Sequence, residues 1–260
     1  MDLNAIRNRL QSLQNKKGSG PKEDRSKTFW KPSVGKQVIR IVPSRFNKQN
    51  PFREVMFHYG IGNKTMISLT NFGEKDPIVE FATQLKKTSD KENWSLAKKI
   101  SPKMRIFAPV IVRGEEDKGV RLWEFGREMY LELLGIAEDE DIGDYTDVMD
   151  GRDMTIDTVG PDVTGTKYNK SSVRIKPKTS ALSEDNEQIK AWISEQPDVL
   201  THYKKYEFEE MKNLLMEWLE PSTETEEAQE VDPTPAVATE TLAPKKKGFD
   251  EDEFDSLFND

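Results

Sequence analysis

The most constraining stretch of the chain runs from Met104 to Gly126. Met104 to Val112 is rich in β-forming residues, Arg113 to Gly119 is a polar turn, and Val120 to Gly126 returns, the pattern of a hairpin. Successive strand side chains point to opposite faces. Met104, Ile106, Ala108, Val110 and Val112 therefore share an aliphatic face, with Arg105 and Phe107 on the other. Arg121, Trp123 and Phe125 recur at alternate positions of the return arm. The pattern predicts a sheet with an aliphatic core side and a second side of cations and rings.

Other segments add to this hairpin. Gln37–Pro43 reads as a strand that stops at its proline, and Val55–Tyr59 as another. Residues 60–92 show little patterning and are expected to form a loop-rich excursion. Arg127–Ile136 is expected to be helical, and the acidic run Glu138–Asp150 a solvated loop. A second hairpin is expected over 153–160 and 166–178, its return arm aligning Arg174, Lys176 and Lys178 on one face. Apolar stripes at i, i+3, i+4 spacing predict helices near 185–196 and 203–219. The class is α+β. Three regions follow: a basic N-terminal segment at 1–28, a core at 29–220, and an acidic tail at 221–260. The first holds Ala5, Ile6, Leu10 and Leu13 interleaved with Arg7 and Arg9, a helical spacing too short to be stable alone. The tail is low in complexity and rich in Glu, Thr, Pro and Ala, and its composition predicts disorder.

Charge is distributed unevenly. The whole chain carries −8, but residues 1–130 sum to +12 and residues 131–260 to −20. That asymmetry suggests a basic binding surface and a separate acidic segment. No apolar run approaches the ~18 residues of a membrane span. The first residues lack the apolar stretch of a signal peptide, so a cytoplasmic protein is expected. With no cysteine, disulfides, thiol nucleophiles and thiolate metal sites are excluded. His58 and His202 are the only histidines, and neither sits in a nucleophile-bearing motif. Gly60-Ile-Gly62-Asn-Lys64-Thr65 lacks the spacing of a phosphate loop, and the Asp-rich run 139–153 lacks that of a calcium loop. No enzyme is expected.

Rings interleaved with cations suit single-stranded nucleic acid, where cations neutralise phosphates and flat rings stack on bases. The candidates are Trp94, Phe107, Trp123, Phe125 and Tyr168 among Lys98, Lys99, Lys103, Arg105, Arg121, Lys170, Arg174 and Lys176. Arg40 and Arg45 are candidates for a phosphate-binding rim. For any single ring, a place in the core is the competing reading. At the C-terminus Phe249, Phe254, Leu257 and Phe258 stand among six acidic residues, which suggests a short docking motif rather than a merely solubilising tail.

Together these segments resemble the T-even-type bacteriophage single-stranded DNA-binding (helix-destabilising) proteins. The resemblance rests on the basic N-terminal segment with its Lys-Gly linker and on Gln37-Val-Ile-Arg-Ile-Val-Pro-Ser44. It also rests on Trp94-Ser-Leu-Ala-Lys-Lys99, Trp123-Glu-Phe125-Gly126, the basic strand around Tyr168, and the acidic tail. It implies a core containing an OB-fold, a five-stranded antiparallel barrel-like sheet with flanking helices, that grips single-stranded DNA in a groove. It implies self-association through the N-terminal segment, here with Arg7 and Arg9, into filaments on DNA. It further implies recruitment of replication and recombination proteins by the tail, and roles in replication, recombination and repair. The family's structural zinc uses one histidine and three cysteines. His58 fits the histidine position, but Thr70, Pro77 and Glu80 fall where the cysteines would be, so no zinc or other cofactor is expected, and residues 60–92 are expected to hold by packing alone. Two other readings of the residues remain: an RNA-binding OB protein, and a scaffold that binds only proteins.

Overall fold

A computed structural model describes residues 25–219. The strands are β1 (Phe29–Trp30), β2 (Gly35–Ile41), β3 (Arg53–Ile61), β4 (Lys64–Ile67), β5 (Lys103–Val112), β6 (Arg121–Phe125), β7 (Arg152–Val159) and β8 (Lys170–Thr179). The helices are α1 (Pro77–Lys87), α2 (Lys91–Ile100), α3 (Arg127–Glu138), α4 (Pro161–Thr164), α5 (Asn186–Ser194) and α6 (Phe208–Leu219). All eight strands belong to one sheet in the order β1-β6-β5-β2-β7-β8, with β3 paired to β5 and β4. The expected five strands are thus too few. The missing ones include the two-residue β1 and four-residue β4, which are defined by pairing and are too short for periodicity to reveal.

Strand β5 organises this sheet. One edge pairs with β6, while the other is shared by β3 along Lys103–Phe107 and β2 along Val110–Val112. A proline inside a central strand normally removes a ladder hydrogen bond. Pro109 falls in the gap between the two partners, where its carbonyl accepts from Val42 N and no donor is required of it. The sequence of β5 therefore permits one strand to serve two neighbours in series.

The aliphatic face of β5 is as the alternation predicts. Ile106, Ala108, Val110 and Val112 join Ile39, Ile41, Met154 and Ile156 in the main core, which α3 closes with Met129, Tyr130 and Leu133. The return arm is a correction. Ala108 opposes Trp123 and Ile106 opposes Phe125, and opposed residues share a face. The turn length sets this register, so both rings point into the aliphatic core. Trp123 packs edge-on against Trp30 with centroids 5.7 Å apart and against Phe125 at 4.5 Å.

Residues 60–92 are a second correction, because β4, α1 and the start of α2 replace the expected loop. Asp76 caps α1 by accepting from Ile78 N and Val79 N, and Pro77 occupies the first turn, where a missing N–H costs nothing. Ile78, Phe81, Ala82 and Leu85 then form a buried stripe that meets Ala97 of α2 and Met211 and Leu215 of α6. This helical unit is tied to the sheet by more than packing. His58 of β3 and Asp76 are both buried, and the Asp76 carboxylate also accepts from Ser68 Oγ at 2.6 Å and Leu69 N at 2.9 Å. The two ring nitrogens of His58 are held by Ile100 O and Asp76 Oδ2, each at 3.0 Å.

Candidate nucleic-acid interface

The outward face of the β3–β5 pair is where exposed cations and rings converge. Arg53 opposes Phe107, Val55 opposes Arg105, and Phe57 opposes Lys103, so these six side chains share one face. Val55, Phe57 and Phe107 form its apolar floor, with Phe29, Tyr59 and Tyr203 half-buried at its sides. At one end the loop before β3 presents Phe46, 39% exposed, with the Arg45 guanidinium 4.9 Å and the Arg53 guanidinium 5.8 Å from its ring centre. Phe46, Pro51 and Arg53 line a shallow groove here with Phe107, Pro109 and Leu122. At the other end α2 runs into β5, bringing Lys98 and Lys99 close in sequence to Lys103, all three exposed. Trp94 on α2 is 52% exposed, with Lys98 Nζ 5.4 Å from its ring centre. Lys99 lies over Trp218 of α6 at 5.4 Å.

Burial, reinforced by the Glu124 carboxylate, pushes the Tyr59 hydroxyl up to about 12. Burial and Glu124 also raise Tyr203. Both phenols thus remain protonated hydroxyls beside the Glu124 carboxylate. Arg105 is partly spent, since its Nε donates to Glu124 Oε1 at 2.7 Å. It is a third exposed on this surface all the same.

Several expected contacts lie elsewhere. Phe107, Trp123 and Phe125 are only 1%, 2% and 6% exposed, so none offers a ring face for stacking: Phe107 is floor and the other two are core. Arg40 is completely buried and serves the fold, not a rim. Its Nε donates to Asp153 Oδ1 at 3.0 Å, and its Nη2 donates to Ser180 O at 2.9 Å and Ser180 Oγ at 2.6 Å. Arg121 is 5% exposed and bonds Glu115 across the hairpin turn at 2.5 Å; Lys118, with Arg121 second, holds that carboxyl below its usual range. Arg45 is exposed, and one guanidinium nitrogen donates to Ser194 O.

The β8 candidates form a separate strip. Val173 is in the core and Ile175 packs against it, while Arg174 is exposed and Lys176 half-buried on the opposite side. Lys170 and the half-buried Tyr168 stand at the β7–β8 turn. Strand pairing places that turn beside Gly35, at the opposite end of β2 from its junction with the β3 loop. Tyr168 and Lys170 are thus at the far end of β2 from the loop that carries Arg45 and Phe46. Arg7, Arg9, Phe249, Phe254, Leu257 and Phe258 lie outside the described residues.

Sequence reading missed Phe46, Arg53, Tyr59, Tyr203 and Trp218 as members of this surface. The Arg45-Phe46 dipeptide, with Arg53 at the head of a strand, was a usable signal. The Lys99–Trp218 contact carried none, because it depends on how α2 and α6 pack.

Cations set over exposed rings suit a nucleic-acid-binding protein. Residues 33–219 match the family model described as gp32 DNA binding protein like, which covers more than half of the chain. The chain belongs to this family of DNA-binding proteins, in agreement with the resemblance carried by its motifs. No curated protein matched it. Among the described residues, no helix is long and apolar enough to cross a membrane.

Proposed function

We propose that this chain coats single-stranded DNA without sequence preference, with the outward β3–β5 face as its contact surface. The observation that supports this most is the pair of exposed rings under cations, Phe46 with Arg45 and Arg53 and Trp94 with Lys98. Stacking on rings is sequence-tolerant because every base has a π-face, and it contributes about 1–3 kcal/mol per base. Phosphate neutralisation by Arg45, Arg53, Lys98, Lys99, Lys103 and Arg105 supplies the remainder, and the β8 strip of Lys170, Arg174 and Lys176 is a further contact in this reading. The sheet around β5 is read as an OB-type barrel elaborated by the helical unit.

Cooperative filament formation through residues 1–28, with Arg7 and Arg9, belongs to the same proposal. So do recruitment of replication and recombination proteins by Phe249, Phe254, Leu257 and Phe258, and service in replication, recombination and repair. Structural zinc does not belong to it. His58, at the expected histidine position, has both ring nitrogens engaged by Ile100 and Asp76, and no thiolate is present. Thr70 and Asp76 lie in a hydrogen-bonded cluster around Ser68 that offers a single carboxylate.

The test is a tryptophan-fluorescence titration with matched DNA and RNA oligonucleotides at several salt concentrations. Saturable quenching by DNA, with affinity falling steeply as salt rises, is the expected result. No quenching, or tighter binding to RNA than DNA, would overturn the proposal.

A further inference from the structure

Helix α3 has two faces, and only one is accounted for. Met129, Tyr130 and Leu133 point into the main core. On the other side Leu131 is 56% and Leu134 38% exposed, flanked by exposed Glu128, Glu132 and Glu138, with Arg127 at the head of the helix as the one exposed cation on this stripe. The sequence from Glu128 through Asp150 contains nine acidic residues and no basic one. None of Glu128, Glu132, Glu138, Asp139, Glu140 or Asp141 forms an ion pair with a described residue. The nearby Arg152 is committed to backbone carbonyls, including Ile142 O and Asp141 O at 3.2 Å each.

The end of α3 is electrostatically wrong for an isolated helix. A helix C-terminus carries partial negative charge and favours cations. The last turn of α3 has no basic residue, and Glu138 is followed by Asp139 at the cap. Like charges are thus concentrated where the backbone is already negative, beside exposed leucines. Such a surface gains from a ligand that is cationic and apolar together.

Residues 3–22 of the chain have that composition. They hold five basic side chains, Arg7, Arg9, Lys16, Lys17 and Lys22, and no acidic one. Ile6, Leu10 and Leu13 repeat at i, i+4, i+7, the spacing of one helical stripe. At ~1.5 Å per residue, a stripe from Ile6 to Leu13 spans about 10 Å, within the roughly 15 Å from Glu128 to Glu138 on α3. The acidic tail, by contrast, would be repelled.

We propose that the exposed face of α3, with the acidic segment that follows it, docks residues 3–22 of a second copy of this chain. Donor and receptor are different patches of one molecule, so the contact is head-to-tail and extends into open chains. The proposal deepens the self-association part of the function above by naming the receiving surface. It also gives a role to an acidic region that DNA contact leaves unused.

The test uses the full chain without DNA. A fluorescent peptide of residues 1–24 is titrated with wild type and with a Leu131→Ser/Glu132→Lys/Glu138→Lys variant, whose substitutions are all on the exposed side of α3. Saturable binding to wild type that is at least tenfold weaker for the variant is expected. Sedimentation velocity should show concentration-dependent oligomers of wild type, and monomers for both the α3 variant and Arg7→Glu/Arg9→Glu. Mixing the two variants should restore dimers and nothing larger, because each retains one half of the contact. Absence of peptide binding, equal binding to the variant, or a wild type that stays monomeric would overturn the proposal. That last result is also the one expected if the segment docked on its own chain or if the face served another protein. A short oligonucleotide holding one protein molecule separates the two readings: failure to bind it would end the DNA-coating proposal and leave this one standing.

Discussion

His58 Nε2 stands 3.0 Å from Asp76 Oδ2 in a region where both side chains are fully shielded from water. The other ring nitrogen of His58 meets Ile100 O at the same distance, so the ring is held from both sides. Burial works to raise the Asp76 pKa. Hydrogen bonds and charge from His58, with those from Ser68 Oγ and Val79 N–H, more than offset it and leave the value below the ordinary carboxylate range. Asp76→Asn should therefore disturb a buried carboxylate that accepts from Ser68 Oγ, Leu69 N, Ile78 N and Val79 N, at a cost of about 1–3 kcal/mol in unfolding free energy. A depressed pKa means the stabilisation is present above the unfolded value and lost as pH falls through the folded one. The gap between wild type and Asp76→Asn in urea denaturation should narrow only below roughly pH 4. A gap that closed well above that pH would show that another group controls it. Chelator should leave the melting temperature of wild type unchanged, whereas a fall would reveal a bound metal.

Trp123→Ala separates core from groove. With its ring 2% exposed and packed on Trp30 and Phe125, its loss should destabilise the fold by about 3–5 kcal/mol, read as a lower urea midpoint. Affinity for a short oligonucleotide, measured where the variant is still folded, should change little. A large loss of affinity at unchanged stability would return Trp123 to the binding surface.

The Trp123 result shows where sequence stops being sufficient. Alternation along β5 correctly identifies the aliphatic face, since that depends only on the strand itself. Which face the return arm adds to depends on register, and register is fixed by the turn between Val110 and Arg121. One residue more or less would have sent Trp123 and Phe125 outward, where sequence reading expected them. Arg40 poses a similar problem. Its partners Asp153 and Ser180 are more than a hundred residues away, so a buried arginine and a rim arginine look alike in sequence. The helix α1 was legible in principle: Asp76-Pro77 is a capping signal, and Ile78, Phe81, Ala82 and Leu85 follow at helical spacing. The surrounding polar residues obscured it.

Trp94 should carry the fluorescence signal of binding. It is the most exposed of the described tryptophans, since Trp30, Trp123 and Trp192 are buried and Trp218 half-buried. Trp94→Phe should remove most DNA-induced quenching and keep most affinity, because a ring remains. Trp94→Ala should weaken binding by about 1–3 kcal/mol. Full quenching retained in Trp94→Phe would mean that the bases stack elsewhere.

Charge contacts can be counted through salt. Each phosphate contact contributes about −0.7 to the slope of log affinity against log salt on single strands. Arg53→Ala and Lys103→Ala, at opposite ends of the β3–β5 face, should each reduce the slope by roughly that amount. Arg40→Met should leave the slope unchanged while lowering stability, because its guanidinium bonds Asp153 and Ser180. If Arg40→Met alone altered the slope, the groove would have to include the β2–β7 side of the sheet.

The acidic tail gives the last prediction. Residues 221–260 carry twelve acidic and three basic side chains, a net of −9, against a face whose exposed cations include Lys98, Lys99 and Lys103. A polyanion tethered to a cationic surface competes with DNA phosphates at high local concentration, and the competition weakens as salt shortens the Debye length from about 30 Å at 0.01 M to about 10 Å at 0.1 M. Deleting residues 221–260 should therefore tighten oligonucleotide binding most at low salt and make the salt dependence of affinity steeper. Binding measured from 0.02 to 0.3 M salt on both chains checks this. Equal affinities at the low end would show that the tail does not reach the groove, leaving Phe249, Phe254, Leu257 and Phe258 to act only on other proteins.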